Sequence, residues 1–112
     1  ARKYNYFFKD YVEILKLPYD KPNSLNSYWL YTIMIDSFIN RDKLIEDLLM
    51  DGVEARPVFY PLHQMIPYKD SRRSKQLKNS IAASLNGLSL PSSLNITDKS
   101  IEKVAKGILK QL

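Results

Sequence analysis

The stretch Arg56-Pro57-Val58-Phe59-Tyr60-Pro61-Leu62-His63 gathers a guanidinium, a phenol and the chain's one histidine around two prolines. A guanidinium balances anionic oxygens, and a phenol and an imidazole hydrogen-bond polar ligand groups, so the chemistry on offer is the holding of a ligand. Each proline fixes its own φ and pushes the preceding residue toward extended geometry, which predicts extended backbone at Arg56 and Tyr60. A stiff, irregular segment of this kind suits the wall of a binding cleft. The competing reading is a strand running into an ordinary turn, with His63 satisfied by a local hydrogen bond.

Signals for bond-making chemistry are weak elsewhere. There is no Gly-rich phosphate loop, no nucleophile elbow and no Ser/His/Asp array. Asp42 and Glu46, four apart beside Arg41 and Lys43, read as a solvated helix face. With no cysteine, disulfides and thiolate catalysis are excluded, and one histidine argues against a protein-only zinc site. The missing cysteines fit a reducing cytoplasm, and no run reaches the roughly 20 apolar residues of a membrane span. The net charge of +5 peaks at Lys69, Arg72, Arg73, Lys75 and Lys78. That stretch would be the surface of a stand-alone basic module binding nucleic acid or another anionic partner. Without interleaved aromatics or an RNA-binding signature it reads more simply as a solvated helix face, which makes nucleic acid the lesser reading.

The elements that must position the Arg56–His63 segment can be read in order. The 112 residues make one domain at most, and a start at Ala1 inside a helical pattern reads as a piece of something longer. Tyr4, Phe8, Tyr11, Val12 and Leu15 recur at helical spacing and predict a first helix ending before Pro18. A polar linker, 19–26, leads to a strand over 28–35. Trp29, Tyr31, Ile33 and Ile35 lie on one of its faces and Tyr28, Leu30, Thr32 and Met34 on the other, which predicts cover on both sides. Asn40 caps a helix from Arg41 to about Asp51, closed by Gly52. The second extended segment then runs through Arg56–Tyr60. A helix over about 71–85, a turn at Asn86-Gly87 and a short strand 88–90 stopped by Pro91 follow. Thr97 caps a last helix whose Ile101, Val104, Ala105, Ile108, Leu109 and Leu112 form one stripe. The order α-β-α-β-α-β-α predicts an α/β class fold, an α+β two-layer sandwich with helices packed on a short sheet.

Four strings in register carry a resemblance. They are Asn26-Ser27-Tyr28-Trp29-Leu30-Tyr31, Arg41-Asp42-Lys43-Leu44, Gly52-Val53-Glu54-Ala55 running on through His63, and Gly87-Leu88-Ser89-Leu90-Pro91-Ser92-Ser93-Leu94-Asn95-Ile96-Thr97. Together they resemble the C-terminal small domain of the DegT/DnrJ/StrS sugar aminotransferases, and look closest to that family's perosamine synthase branch. One departure stands out: the family often places proline three residues beyond the histidine, where this chain has Ile66 followed by Pro67.

The resemblance implies a type I aminotransferase fold, a short and mostly antiparallel sheet, and a pyridoxal-phosphate enzyme that moves an amino group, usually from glutamate, to a nucleotide-linked 4-keto-6-deoxysugar. In that family the Schiff-base lysine lies in a large N-terminal domain, and nothing resembling that domain is present in 1–112. The expected single domain is therefore inactive alone, holding no catalytic, cofactor or metal residue. Its implied work is substrate shape at the interface of a homodimer. Carried over by the resemblance, His63 and Tyr60 would hydrogen-bond the sugar or its phosphates, Arg56 would balance phosphate charge, and Phe59 or Trp29 would wall the pocket. The first helix's Tyr4, Phe8 and Tyr11 are expected to form the apolar face toward the large domain. Trp29 and Phe59 are expected, if not on the site, in the core or at that interdomain contact.

Overall fold

A computed structural model describes residues 1–68 and 77–112. The N-terminal helical stripe breaks early: α1 spans Arg2–Phe8, one 3-10 turn follows at Lys9–Tyr11, and Leu15–Lys16 is a strand, β1. Val12 and Ile14 are β-branched and hold a helix poorly. The free edge of β2 (Tyr31–Ile35) offers ladder hydrogen bonds instead, and Leu15 lies opposite Ile35. The expected single helix through Leu15 is corrected accordingly. The remaining elements are α2 (Arg41–Met50), β3 (Arg56–Pro57), α3 (Lys78–Asn86), β4 (Gly87–Leu90) and α4 (Asp98–Leu109).

The four strands form one antiparallel sheet in the order β1-β2-β4-β3. Tyr31, Ile33 and Ile35 of β2 and Leu88 and Leu90 of β4 face a core completed by Tyr4 and Phe8 of α1, Leu44 and Leu48 of α2, and Ile101, Val104, Ala105 and Ile108 of α4. Thr32 and Met34, which alternate with them, are half-buried, so β2 is fully covered on one face and partly on the other. The Thr32 hydroxyl meets that of buried Ser89 across the ladder at 3.0 Å. The fold is the expected small α+β layer of helices on an antiparallel sheet, with one more strand than the sequence reading counts.

Two capping expectations hold as stated. Asn40 Oδ1 accepts from the Lys43 amide, and Thr97 Oγ1 from the Ser100 amide, each satisfying an amide that a helix start leaves without an intrahelical partner. Gly52 has φ +71° just past α2, the left-handed position that favours glycine. Gly87 does not make the expected turn. It is extended, φ −83° and ψ 137°, and directly opens β4. Its missing side chain matters for another reason, since a Cβ there would stand 2.3 Å from both the Ala83 carbonyl and Val58 Cγ2. Arg41 is likewise no solvated residue: its guanidinium donates to the Ser84 carbonyl at 2.7 Å, tying α2 to the end of α3. The helix expected over 71–85 is α3 within the described part, while 71–76 lie outside the described residues.

The aromatic stripe of α1 is this chain's own core. Tyr4 and Phe8 are fully buried, and only Tyr11 remains at the surface, which overturns the expected interdomain face. The Tyr4 and Phe8 rings lie parallel within 2°, and Tyr4 packs on Tyr31 at 4.8 Å between centroids. Burial pushes the Tyr4 phenol up to about 12 and raises that of Tyr31 further, helped by its neighbours Tyr28 and Tyr4. Below about pH 10 both folded and unfolded chains keep these protons, and the phenols leave stability unchanged. Above about pH 10 the unfolded phenols ionise while the folded ones do not, so stability falls by about 1.4 kcal/mol per pH unit for each. Urea midpoints should therefore drop steeply from about pH 10 toward 12, and Tyr4→Phe should make the slope shallower. An unchanged midpoint across that window would contradict the burial of both phenols.

Candidate functional site

The strand expected from Tyr28 begins only at Tyr31, because the chain turns sharply first. Tyr28 has φ +48°, rare for an aromatic residue. The Asn26 side-chain oxygen accepts from its amide at 3.0 Å, and its hydroxyl donates to Asp20 at 2.5 Å, a bond that raises the phenol's pKa. Ser92 Oγ donates to the Trp29 carbonyl at 3.0 Å, fixing the next residue against the segment that leaves β4. Trp29 is thereby held outside the sheet, 76% exposed, instead of lying in a covered strand.

Phe59 reaches it from the other side of the sheet's sequence. β3 is an edge strand, which is where proline is tolerated: Pro57 has no N–H to give, and the ladder resumes with Val58 N donating to the Gly87 carbonyl. Only Arg56-Pro57 pairs as strand, so the extended segment expected through Tyr60 leaves the sheet early. Phe59 is 68% exposed and stacks on Trp29 with 6.3 Å between centroids and 28° between planes. Neither ring belongs to the core, contrary to that part of the expectation.

Trp29 and Arg56 line an open groove of about 850 Å³, together with Ser27, Ser92, Ser93 and Glu54. Arg56 is exposed, and its Nη2 donates to Glu54 Oε1 at 2.6 Å with Nε at 3.1 Å to the same oxygen. One carboxylate oxygen thus orients the guanidinium along the edge of the groove. Tyr60 is exposed and does not line the groove. His63 sits in a 3-10 turn, Leu62–Gln64, and is 8% exposed. Its Nε2 is buried without a hydrogen-bond partner among the described residues. The structure therefore brings Arg56, Phe59 and Trp29 together and places His63 apart from them.

Tyr28, Ser92, Ser93 and Glu54 went unassigned by the sequence. Their signal was present in the strings Asn26–Tyr31 and Pro91–Ser93, but no local spacing shows that these segments meet. Lys69, Arg72, Arg73 and Lys75, the core of the basic cluster, lie outside the described residues, and Lys78 is an exposed residue at the start of α3. Among the described residues no group of acidic or histidine side chains could hold a metal ion, and no helix is long and apolar enough to cross a membrane.

Residues 1–109 of the chain match the model of the DegT/DnrJ/EryC1/StrS aminotransferase family. The chain belongs to that family. It is 37% identical over 79 residues to the GDP-perosamine synthase of Caulobacter vibrioides, covering 69% of this chain and 21% of that enzyme. The GDP-perosamine synthase of Vibrio cholerae is 30% identical over 87 residues, covering 76% and 24%. A DegT/DnrJ/EryC1/StrS aminotransferase from Brucella abortus superposes with a TM-score of 0.81 at 25% identity, over 97% of this chain and 28% of that one. Helicobacter pylori PseC, an aminotransferase of pseudoaminic acid biosynthesis, shares the fold with a TM-score of 0.83 at 24% identity. The chain spans only about a fifth to a quarter of the length of the two perosamine synthases.

Pyridoxal phosphate, the cofactor this family implies, requires a lysine amine and a cradle for its phosphate. Among the described residues no lysine lines the large groove. Lys103 borders a neighbouring cavity of about 430 Å³, but it is solvent-exposed on α4 and has none of the burial that makes a lysine nucleophilic. The described residues do not fit the cofactor.

Proposed function

We propose that this chain is the C-terminal, substrate-side domain of a longer aminotransferase that aminates a nucleotide-linked 4-keto-6-deoxysugar, a reading supported by its relatives named GDP-perosamine synthase. One observation carries the reading: a groove lined, among the described residues, by a guanidinium, serine hydroxyls and the exposed Trp29 ring but by no lysine suits an anionic ligand and leaves the amine chemistry to another domain. In this proposal the large domain holds pyridoxal phosphate and lies outside the 112 residues. Glutamate supplies the amino group, the subunits pair as a homodimer, and the enzyme works in the cytoplasm toward lipopolysaccharide.

Arg56 balances the diphosphate, Phe59 walls the groove, and Tyr60 contributes its free phenol to the sugar. His63 is included because its buried imidazole nitrogen has no partner among the described residues, a costly state that a sugar hydroxyl or phosphate oxygen reaching it on assembly would relieve. The test is the reaction of the complete enzyme. With glutamate and a GDP-linked 4-keto-6-deoxysugar it should form the 4-amino sugar and 2-oxoglutarate in equal amounts. A complete enzyme that turns over glutamate with no nucleotide-linked keto-sugar would overturn the proposal.

A further inference from the structure

Arg41 opens α2, yet its guanidinium turns away from water. The side chain is 14% exposed, and Nη1 donates to the Ser84 carbonyl at 2.7 Å and to the Gly87 carbonyl at 3.4 Å. A cation at a helix start faces the positive end of that helix's dipole and loses hydration on burial, and these bonds offset part of both costs. Ser84 lies in the last turn of α3, whose carbonyls lack intrahelical donors, which accounts for the first bond. The second goes to a carbonyl with another duty. Gly87 O also accepts from the Val58 amide at 3.2 Å, just where the chain leaves β3. The Val58 side chain sits over the same glycine, since a Cβ on Gly87 would stand 2.3 Å from Val58 Cγ2. Val58 is thus held twice by Gly87, and the next residue is Phe59, whose ring stacks on Trp29.

We propose that Arg41 is a positioning residue for Phe59 and Tyr60: through the Gly87 carbonyl it fixes the point at which their segment leaves the sheet, and with it the seat of Phe59 on Trp29. A carbonyl has two lone pairs, and with donors from Arg41 and Val58 on both, Gly87 O is held against tilting. Without the guanidinium the carbonyl keeps one donor, and its peptide can rotate under the Val58 bond. Among the described residues neither Phe59 nor Tyr60 makes a backbone hydrogen bond of its own, and both side chains are exposed, so a rotation at Val58 passes straight to them. The inference rests on the proposed function for its consequence in the reaction, while the placement itself stands on the contacts between α2, the α3–β4 junction and Val58.

Trp29 is the chain's single tryptophan, so its emission reports whether Phe59 is in place. The 112-residue chain, whose core its own elements close, is the sample. Phe59→Ala should move the emission to longer wavelength and sets the size of the shift. Arg41→Met should produce most of that shift with both rings intact, and the double variant should shift no further than Phe59→Ala alone. In amide exchange of folded Arg41→Met, the Val58 amide should lose about fivefold of its protection, whereas the Val53 amide, bonded to the Leu48 carbonyl, should keep its own. A general loss of stability would lower both. Parental emission in Arg41→Met, additive shifts in the double variant, or equal losses at Val58 and Val53 would each overturn the proposal. Should Arg41→Met not fold, Val58→Ala tests the same path at a half-buried position: it should shift Trp29 emission likewise, and unshifted emission would overturn the path. In the complete enzyme, Arg41→Met should raise KM for the keto-sugar and leave the glutamate half-reaction unchanged. Emission and exchange need no substrate, so a complete enzyme that fails to aminate a GDP-linked keto-sugar overturns the proposed function and leaves the positioning role. Parental emission beside full amination does the reverse.

Discussion

Phe8→Ala should destabilise the chain by about 3–5 kcal/mol, enough to remove much of the margin of a domain this size. Phe8 is fully buried at the end of α1, parallel to Tyr4 and inside the cluster that joins α1 to α4 and the sheet. Truncating it removes the transfer energy of the ring and leaves a cavity in the cluster that α1 shares with α4 and the sheet, whose other members are held by their own contacts and close it only in part. Tyr6, two residues earlier on the exposed side of the same helix, is the matched control: Tyr6→Ala should change stability by less than about 0.5 kcal/mol. Chemical denaturation of the two variants checks this. Equal, small losses would mean that α1 does not pack as described and would return Phe8 to the surface role the sequence suggested for it.

That role illustrates what periodicity can and cannot say. Spacing alone shows that Tyr4 and Phe8 share a face, but not whether this domain or another covers it, and here α4 and β2 do. The cover of α4 was legible because a capping threonine and an unbroken apolar stripe coincide, and α2 because Asn40 and Gly52 bracket its stripe. β1 was not, since a two-residue strand has no period and exists only because the edge of β2 is there to pair with. Gly87 was read as a turn residue for the freedom glycine brings, whereas the structure uses the space it leaves for Ala83 and Val58. Trp29 alternates correctly for a strand, and only the left-handed Tyr28 before it takes it out of the sheet.

The site divides in the same way. Arg56 and Phe59 were singled out from the two prolines that stiffen their segment; Arg56 lines the groove, while Phe59 stacks on Trp29 without lining it. Ser92 and Ser93, more than 30 residues away in sequence, line the same groove as Arg56 and follow a strand that the β3–β4 ladder pairs with it. No local pattern encodes that meeting. His63 was singled out for its chemistry, and the structure adds a different reason to attend to it, an imidazole nitrogen buried without a partner among the described residues.

The central claim is that this domain handles the sugar nucleotide and not the cofactor, and the two half-reactions of the complete enzyme carrying His63→Ala separate those partners. Loss of one hydrogen bond to a polar or charged ligand group is worth roughly 1–3 kcal/mol, so kcat/KM for the keto-sugar should fall by about ten- to a hundredfold. With glutamate alone the same variant should convert its cofactor to the aminated form at near the parental rate, which also shows that the buried substitution has not unfolded the domain. Single-turnover absorbance of the cofactor reads both steps in one preparation. A slow keto-sugar step beside an intact glutamate step is the result this account predicts. Equal slowing of both, or a defect confined to the glutamate step, would contradict it.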